Sequence, residues 1–319
     1  MSTLPDDVSA PDLEVEIPFT TPAHPDTAAI EAQVLAWAAS SGLAADDREL
    51  AVFRAGRFGE LAAWTMPRAD VEHAVLVGQV ITWLFAFDDR YLDQDGHRTR
   101  PAEVAALLVR CQQLLRPVPQ WRPPAPPLEP DQARCLAALA DLLGRLESAD
   151  GAGQTHRFAG ELSYALYGAL LELSWHAEDT PVRADWYAVT RPMTSAALAL
   201  LALVGLGTDS ALRPDAWARP DVQQLTMHAA AFIGWTNDLF SWRKEMAHQL
   251  NDTNLLWLLA PRDRTDHARR ICQDELDAYL RLEASIGGAD PRLLAHTDGL
   301  RCCMYGNYQW SLRTPRYHA

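Results

Sequence analysis

The chain has little cysteine, no surplus of basic charge and no long apolar run, and each absence excludes something. The five cysteines, Cys111, Cys135, Cys272, Cys302 and Cys303, are an odd and widely spaced set. They do not read as a disulfide framework, and Cys302-Cys303 is too close for an ordinary metal-binding pair. Reduced thiols filling helix interiors, in a cytoplasmic protein, are the expectation. Lys and Arg number 28 against 42 Asp and Glu, a formal net charge of −14. That balance argues against nucleic acid or an anionic membrane as partner. No window of about 18 uninterrupted apolar residues occurs, so no membrane span is expected. The opening residues lack a basic and then apolar leader pattern, so no signal peptide is expected either. The ten histidines show no HExxH or paired-ligand spacing. Alternating β-branched stretches are scarce, which leaves little room for a sheet.

What is present is helical period. Hydrophobic residues make up 48% of the chain, mostly in Ala- and Leu-rich runs. The periodicity and caps predict an all-α chain with helices over about 28–41, 46–65, 69–94, 101–116, 131–149, 155–178, 183–208, 220–248, 251–259, 264–286 and 290–311. Prolines from Pro117 to Pro127 make the one conspicuous loop. No internal repeat and no long linker appears. The expected organisation is a flexible or strapping arm over residues 1–27 and a single helical domain over 28–319.

The most informative stretch is Asn237-Asp238-Leu239-Phe240-Ser241-Trp242-Arg243-Lys244-Glu245. Asn237, Ser241 and Glu245 recur at i, i+4 and i+8. On a helix they fan across roughly 80° of one face. Amide, hydroxyl and carboxylate oxygens in that array suit a hard divalent cation such as Mg2+ rather than zinc or copper. Lys244 lands about 20° from Asn237, on the same face, while Arg243 points roughly the other way. A lysine beside a metal carboxylate makes sense if a phosphate bridges the two.

A second acidic site ends an apolar helix: Trp83-Leu84-Phe85-Ala86-Phe87-Asp88-Asp89-Arg90-Tyr91-Leu92-Asp93. Unopposed carboxylates at one helix end repel each other unless a cation or an arginine neutralises them. Alone, such an end reads as a solvated acidic surface. The apolar residues before it, Ile81, Leu84, Phe85 and Phe87, place the carboxylates at the rim of something apolar. Two such helices suggest a deep hydrophobic pocket with metal at its mouth, a shape suited to an amphiphile with a phosphorylated head.

These residues resemble the bacterial class I terpene synthases, or terpene cyclases. Asp88 to Asp93 looks like the family's aspartate-rich motif in DDxxxD form, and Asn237, Ser241 and Glu245 look like its NSE triad with the preceding Lys. Arg191 stands where the family carries its diphosphate-sensing arginine, and Arg316-Tyr317 looks like its terminal RY pair. Ile17-Pro18-Phe19 with His24-Pro25 resembles its N-terminal strap. Read alone, Arg191 is a surface or salt-bridge arginine and Arg316-Tyr317 a frayed tail.

The resemblance implies a helical bundle around a deep apolar cavity. It implies three Mg2+ ions held by Asp88 and the NSE triad, with Asp89 and Asp93 as further candidate ligands. It gives Arg191, Lys244, Arg316 and Tyr317 to the substrate diphosphate. Pro192 after Arg191 requires the helix to break or bend there; the family has a break at the corresponding place, where it exposes a backbone carbonyl, and Thr194 and Ser195 would be its linker and effector residues. Phe85, Phe87, Thr194 and Trp310 would line the cavity, with Phe232 and Trp235 as further candidate aromatics, although such residues are also ordinary core.

The implied reaction is Mg2+-dependent cyclisation of a linear isoprenyl diphosphate, first of all farnesyl diphosphate, with geranylgeranyl diphosphate as the alternative substrate. A chain-elongating transferase is disfavoured because its second Asp-rich motif is replaced by the NSE-type triad. A non-catalytic helical scaffold is the remaining alternative. A homodimer is a family expectation.

Overall fold

In the computed structural model the described residues are 14–92, 101–117, 127–149, 153–177, 182–208, 211–247, 253–259, 263–286 and 290–317. Fourteen α-helices are defined among them: α1 Thr27–Ser40, α2 Asp47–Gly56, α3 Phe58–Thr65, α4 Val71–Phe87, α5 Pro101–Leu115, α6 Pro130–Ala149, α7 Gln154–Ala177, α8 Ala184–Thr194, α9 Ala197–Leu201, α10 Pro214–Trp217, α11 Pro220–Ala247, α12 Leu255–Leu258, α13 Arg264–Ile286 and α14 Pro291–Ser311. No strand occurs among the described residues. Asp93 and most of the proline loop lie outside them.

Helix starts follow local chemistry. The side chains of Asp46, Asp70 and Asp290 cap α2, α4 and α14. Pro101, Pro130, Pro220 and Pro291 stand at first helical positions, where a missing N–H costs nothing.

Four expected helices come out differently. The span 46–65 splits at Arg57, which takes the left-handed conformation with φ of 54°. The Phe58 ring folds back onto Gly56 so closely that a Cβ there would sit 2.5 Å from it. The span 69–94 leaves α-helix after Phe87 and widens into a π-helical turn, Asp88–Leu92. The span 183–208 divides into α8 and α9, and 251–259 shrinks to the short α12.

Helix α4 is the core element. It packs against α1, α3 and α6, and every residue from Ala74 to Trp83 is buried. With its π turn it is long and apolar enough to cross a membrane by length and composition, a pattern that a wholly buried core helix shares. Helix α11 packs against α8, α9, α13 and α14, and α7 against α5, α8 and α9. Residues 15–19 run along α14. The Val15 N–H donates to Tyr308 Oη at 3.0 Å, and the Phe19 ring lies 6.5 Å from that of Tyr305. His24 Nε2 meets the Ala69 carbonyl oxygen at 3.0 Å. All five cysteines are free and buried, and burial pushes the Cys302 thiol up to about 11.

His296 on α14 gives the fold a pH dependence. It is 1% exposed, edge-on to Trp217 at 5.7 Å, and neither ring nitrogen has a hydrogen-bond partner. Burial, helped by the Arg157 charge, pushes the imidazole down to about 4 from 6.5. The unfolded chain therefore takes up this proton first as pH falls. Stability present above 6.5 is lost on the way down to about 4, by roughly 3 kcal/mol in total. Melting temperature followed against pH should fall through this window, and His296→Leu should flatten that part of the curve; an unchanged slope in the variant refutes the assignment.

Candidate active site

The acidic end of α4 is fastened from behind. Within the π turn, Tyr91 is buried and donates its hydroxyl to Asp131 Oδ2 at 2.8 Å. Arg90 Nη2 donates to the Leu43 carbonyl and to Glu49 Oε2, both at 3.0 Å. These anchors use the residues between the acids and leave Asp88 lining the central cavity. Asp89 does something else. Arg316 grips it with two bonds of 2.6 Å, and Lys244 Nζ adds a third at 2.6 Å. Burial alone would raise this carboxyl, but the two cations hold it well below the usual carboxylate range. Asp89, a metal-ligand candidate by sequence, is here the counter-ion of two basic side chains. The reason is tertiary: the chain's C-terminal turn, Pro315–Tyr317, folds back over the end of α4.

Helix α11 sorts its side chains as the spacing requires. Asn237, Ser241, Lys244 and Glu245 all line the cavity. Arg243 is exposed and lies over the Trp242 ring at 5.2 Å. Asn237 Oδ1 accepts from Arg191 Nη2 at 2.9 Å, and its Nδ2 donates to Tyr317 Oη at 2.7 Å. Glu245 Oε2 accepts from Asn254 Nδ2 at 2.9 Å. Ser241 is buried and its Oγ has no hydrogen-bond partner. An orphaned hydroxyl between an amide and a carboxylate fits a hard cation better than it fits a core position. Among the described residues no three His, Cys, Asp or Glu side chains cluster to hold a metal, so the mixed oxygen set of α11 is the donor array on offer.

Arg191 reaches the same place from α8. Besides Asn237 it pairs with Asp238 Oδ1 at 2.6 Å, and Asp238 is wholly buried. Burial works against the guanidinium charge; Asp238 more than restores it. Tyr187 Oη shares its proton between Asp238 Oδ2 at 2.9 Å and the Thr253 carbonyl at 2.6 Å. Pro192 sits inside α8, yet the helix runs on to Thr194 before breaking. The break falls at Ser195 and Ala196, where Ala196 is left-handed with φ of 54°. Thr194, Ser195, Ala196 and Ala197 all face the cavity.

The cavity measures ≈ 170 Å³. Its floor is apolar, with Phe85, Phe87, Leu84, Ile81 and Leu166 among the lining residues. A wider groove of ≈ 420 Å³ beside Met66, Val204 and Ala295 has no carboxylate in its lining, so size alone does not locate the site. Three expected aromatics stand behind the wall rather than in it. Trp310 donates Nε1 to the Gly56 carbonyl at 2.9 Å, which holds its ring against Phe58 and Phe85. Phe232 is fully buried in the core, and Trp235 packs on Tyr187 with ring centres 5.8 Å apart.

Sequence reasoning missed Asp238, Tyr187 and Asn254. The signal was available for one of them. Asp238 is about 100° round the helix from Asn237, among apolar neighbours, where an acid needs a buried partner.

In sequence and in fold the chain is similar to known proteins. The family model "Terpene synthase family 2, C-terminal metal binding" matches residues 79–281. The 4-epi-cubebol synthase ((2E,6E)-farnesyl diphosphate cyclizing) of Streptosporangium roseum is 25% identical over 310 residues, 94% of this chain and 90% of that one. A (12E)-labda-8(17),12,14-triene synthase of Streptomyces anulatus is 29% identical over 328 residues, 99% of this chain and 97% of that one. The crystal structure of the SVS_A2 protein from ancestral sequence reconstruction superposes with a TM-score of 0.83 at 25% identity, covering 94% of this chain and 89% of that one. Wild-type cucumene synthase shares the fold with a TM-score of 0.75 at 21% identity, over 93% of this chain and 99% of that one. With the metal-binding region of the family matched across most of the chain and the helical architecture shared, this protein belongs to terpene synthase family 2 and is a bacterial class I terpene synthase.

Proposed function

We propose that the protein ionises a linear isoprenyl diphosphate and cyclises its tail. One observation carries this reading. A single cavity has an apolar floor and, at its mouth, an oxygen array beside three cationic side chains and a tyrosine. Asp88, Asn237, Ser241 and Glu245 are the residues that would hold divalent cations, and Mg2+ suits their oxygen donors. Bound there, such cations neutralise the charge that grows on the leaving diphosphate.

The chain's own residues do the rest. Arg191, Lys244, Arg316 and Tyr317 donate to the diphosphate. Lys244 and Arg316 are now held on Asp89, so an incoming diphosphate competes with that carboxylate for them. Buried donors already neutralised by an internal acid do not have to be charged in isolation while the site waits. Leu84, Ile81 and Leu166 exclude water from the cation that forms on the tail. Phe85 and Phe87 offer ring faces that stabilise it without attacking it.

Farnesyl diphosphate is the favoured substrate. The relatives that make 4-epi-cubebol, α-amorphene and T-muurolol are farnesyl diphosphate cyclizing. Geranylgeranyl diphosphate is the second reading, favoured by the small residues Ala165, Ala169, Ala196 and Ala197 in the cavity wall. Incubation with Mg2+ and geranyl, farnesyl or geranylgeranyl diphosphate, with extracts read by gas chromatography and diphosphate release assayed in parallel, tests it. One substrate should give a cyclic hydrocarbon or alcohol in step with diphosphate; intact substrate in every tube would refute the cyclase reading.

A further inference from the structure

Asn254 makes more bonds than its local role requires. It is 2% exposed and stands just before α12, where its Oδ1 accepts from the Leu256 N–H at 2.9 Å. That is an ordinary N-cap, which Ser, Thr or Asp would provide as well. The amide nitrogen does the additional work. Nδ2 donates to Glu245 Oε2 at 2.9 Å and to the Asp238 backbone carbonyl at 3.1 Å. Only an amide side chain supplies an acceptor for the cap and two N–H donors for the other side.

The neighbouring residues extend the pattern. The Leu255 N–H donates to Asp238 Oδ2 at 3.0 Å, and the Thr253 carbonyl accepts from Tyr187. The other oxygen of Asp238 holds Arg191. Three consecutive residues thus fasten the carboxylate of Glu245 and, through Asp238, the guanidinium of Arg191. All of these bonds are buried or half-buried, where a fixed polar network specifies orientation strongly.

We propose that Asn254 is the positioning residue for the Glu245 carboxylate, and that the segment from Thr253 to Leu255 ties the metal arm and the diphosphate arm of the site into one unit through Asp238. The proposal rests on the reading of Glu245 as a metal ligand. A long carboxylate on a half-buried helix face has several rotamers open to it. One charge-assisted bond from a buried amide selects among them, as partners of metal ligands commonly do. Asn254 does not touch the substrate; it acts through Glu245.

The test is metal binding in two variants. Asn254→Ser keeps a good N-cap and removes the amide that reaches Glu245. Asn254→Asp keeps the cap and sets a second carboxylate against Glu245. Mn2+ is titrated into each protein with inorganic diphosphate present, read by electron paramagnetic resonance, and the metal-free melting temperature is measured alongside. Asn254→Ser is expected to weaken Mn2+ binding by about 10- to 100-fold, and Asn254→Asp by more, with the metal-free melting temperature of Asn254→Ser close to that of wild type. Wild-type Mn2+ affinity in both variants would overturn the positioning role and leave the metal reading standing. A loss of affinity that merely tracks a loss of melting temperature would reduce Asn254 to a cap. If the wild-type protein binds no Mn2+ with diphosphate, the metal reading fails, and this proposal fails with it.

Discussion

Glu245→Ala is expected to lower kcat/KM on the isoprenyl diphosphate by about 10³-fold or more, because metal stabilisation of a leaving group is worth several kcal/mol and each 1.36 kcal/mol is a decade in rate. Glu245 supplies the only formal negative charge of the α11 donor array; Asn237 and Ser241 bring neutral oxygens. Its loss weakens the hold on the cation and also takes one acceptor from the Asn254 amide. Glu245→Gln separates the two effects. It keeps an acceptor for Asn254 and loses the charge, and it should be nearly as impaired as the alanine variant. Asn237→Ala should fall in the same range, and the double variant should be little worse than either alone, since ligands of one site act as a unit. Glu245 is half-buried and lies near the end of α11, so the melting temperature should move little. Steady-state rates and thermal melts on the same preparations check this. Full activity in Glu245→Ala or Asn237→Ala would remove the metal assignment.

Arg191→Met is expected to cost about 3–5 kcal/mol of stability as well as activity, because it strips the counter-charge from a buried carboxylate. Asp238 is fully buried, and its remaining partners, Tyr187 and the Leu255 N–H, are neutral. They cannot replace a guanidinium 2.6 Å away. The double variant Arg191→Met, Asp238→Leu removes both charges and should regain much of the stability, as buried ion pairs replaced by apolar groups often do. It should not regain activity, because the donor to the diphosphate is still missing. Arg191→Lys should lie between, since one ammonium does not reproduce a planar fork that serves Asn237 and Asp238 together. Urea denaturation of all three, with diphosphate release measured in parallel, separates the roles. Unchanged stability in Arg191→Met would show that Asp238 does not need this partner; an active double variant would show that the substrate does not.

The all-α architecture was legible because helix signals are local. A cap, a proline at the first position and a 3.6-residue period all act within a turn or two, and the expected boundaries of α1, α6, α7, α11 and α13 lie within a residue or two of those seen. Boundaries went wrong where a distant or strained contact decided them. Arg57 breaks a helical pattern because the Phe58 ring must pack over Gly56. Pro192 marked a break or bend, but it deprives only the turn before it of a donor, so the helix lasted to Thr194 and yielded at the left-handed Ala196.

The site divides in the same way. Residue spacing alone put Asn237, Ser241, Lys244 and Glu245 on one face and Arg243 off it. Helix geometry fixes that for any chain that is helical there. The sequence also placed Asp88 at the end of an apolar helix. It did not determine which acid meets a cation, which arginine is held by which acid, or which aromatics reach the cavity. Those followed from contacts between residues far apart in the chain. The C-terminal turn brings Arg316 onto Asp89, α8 brings Arg191 onto Asp238, and the Gly56 carbonyl draws Trp310 behind Phe85. Charge pairing and burial act through space, so they depend on distances that the folded packing of the helices sets.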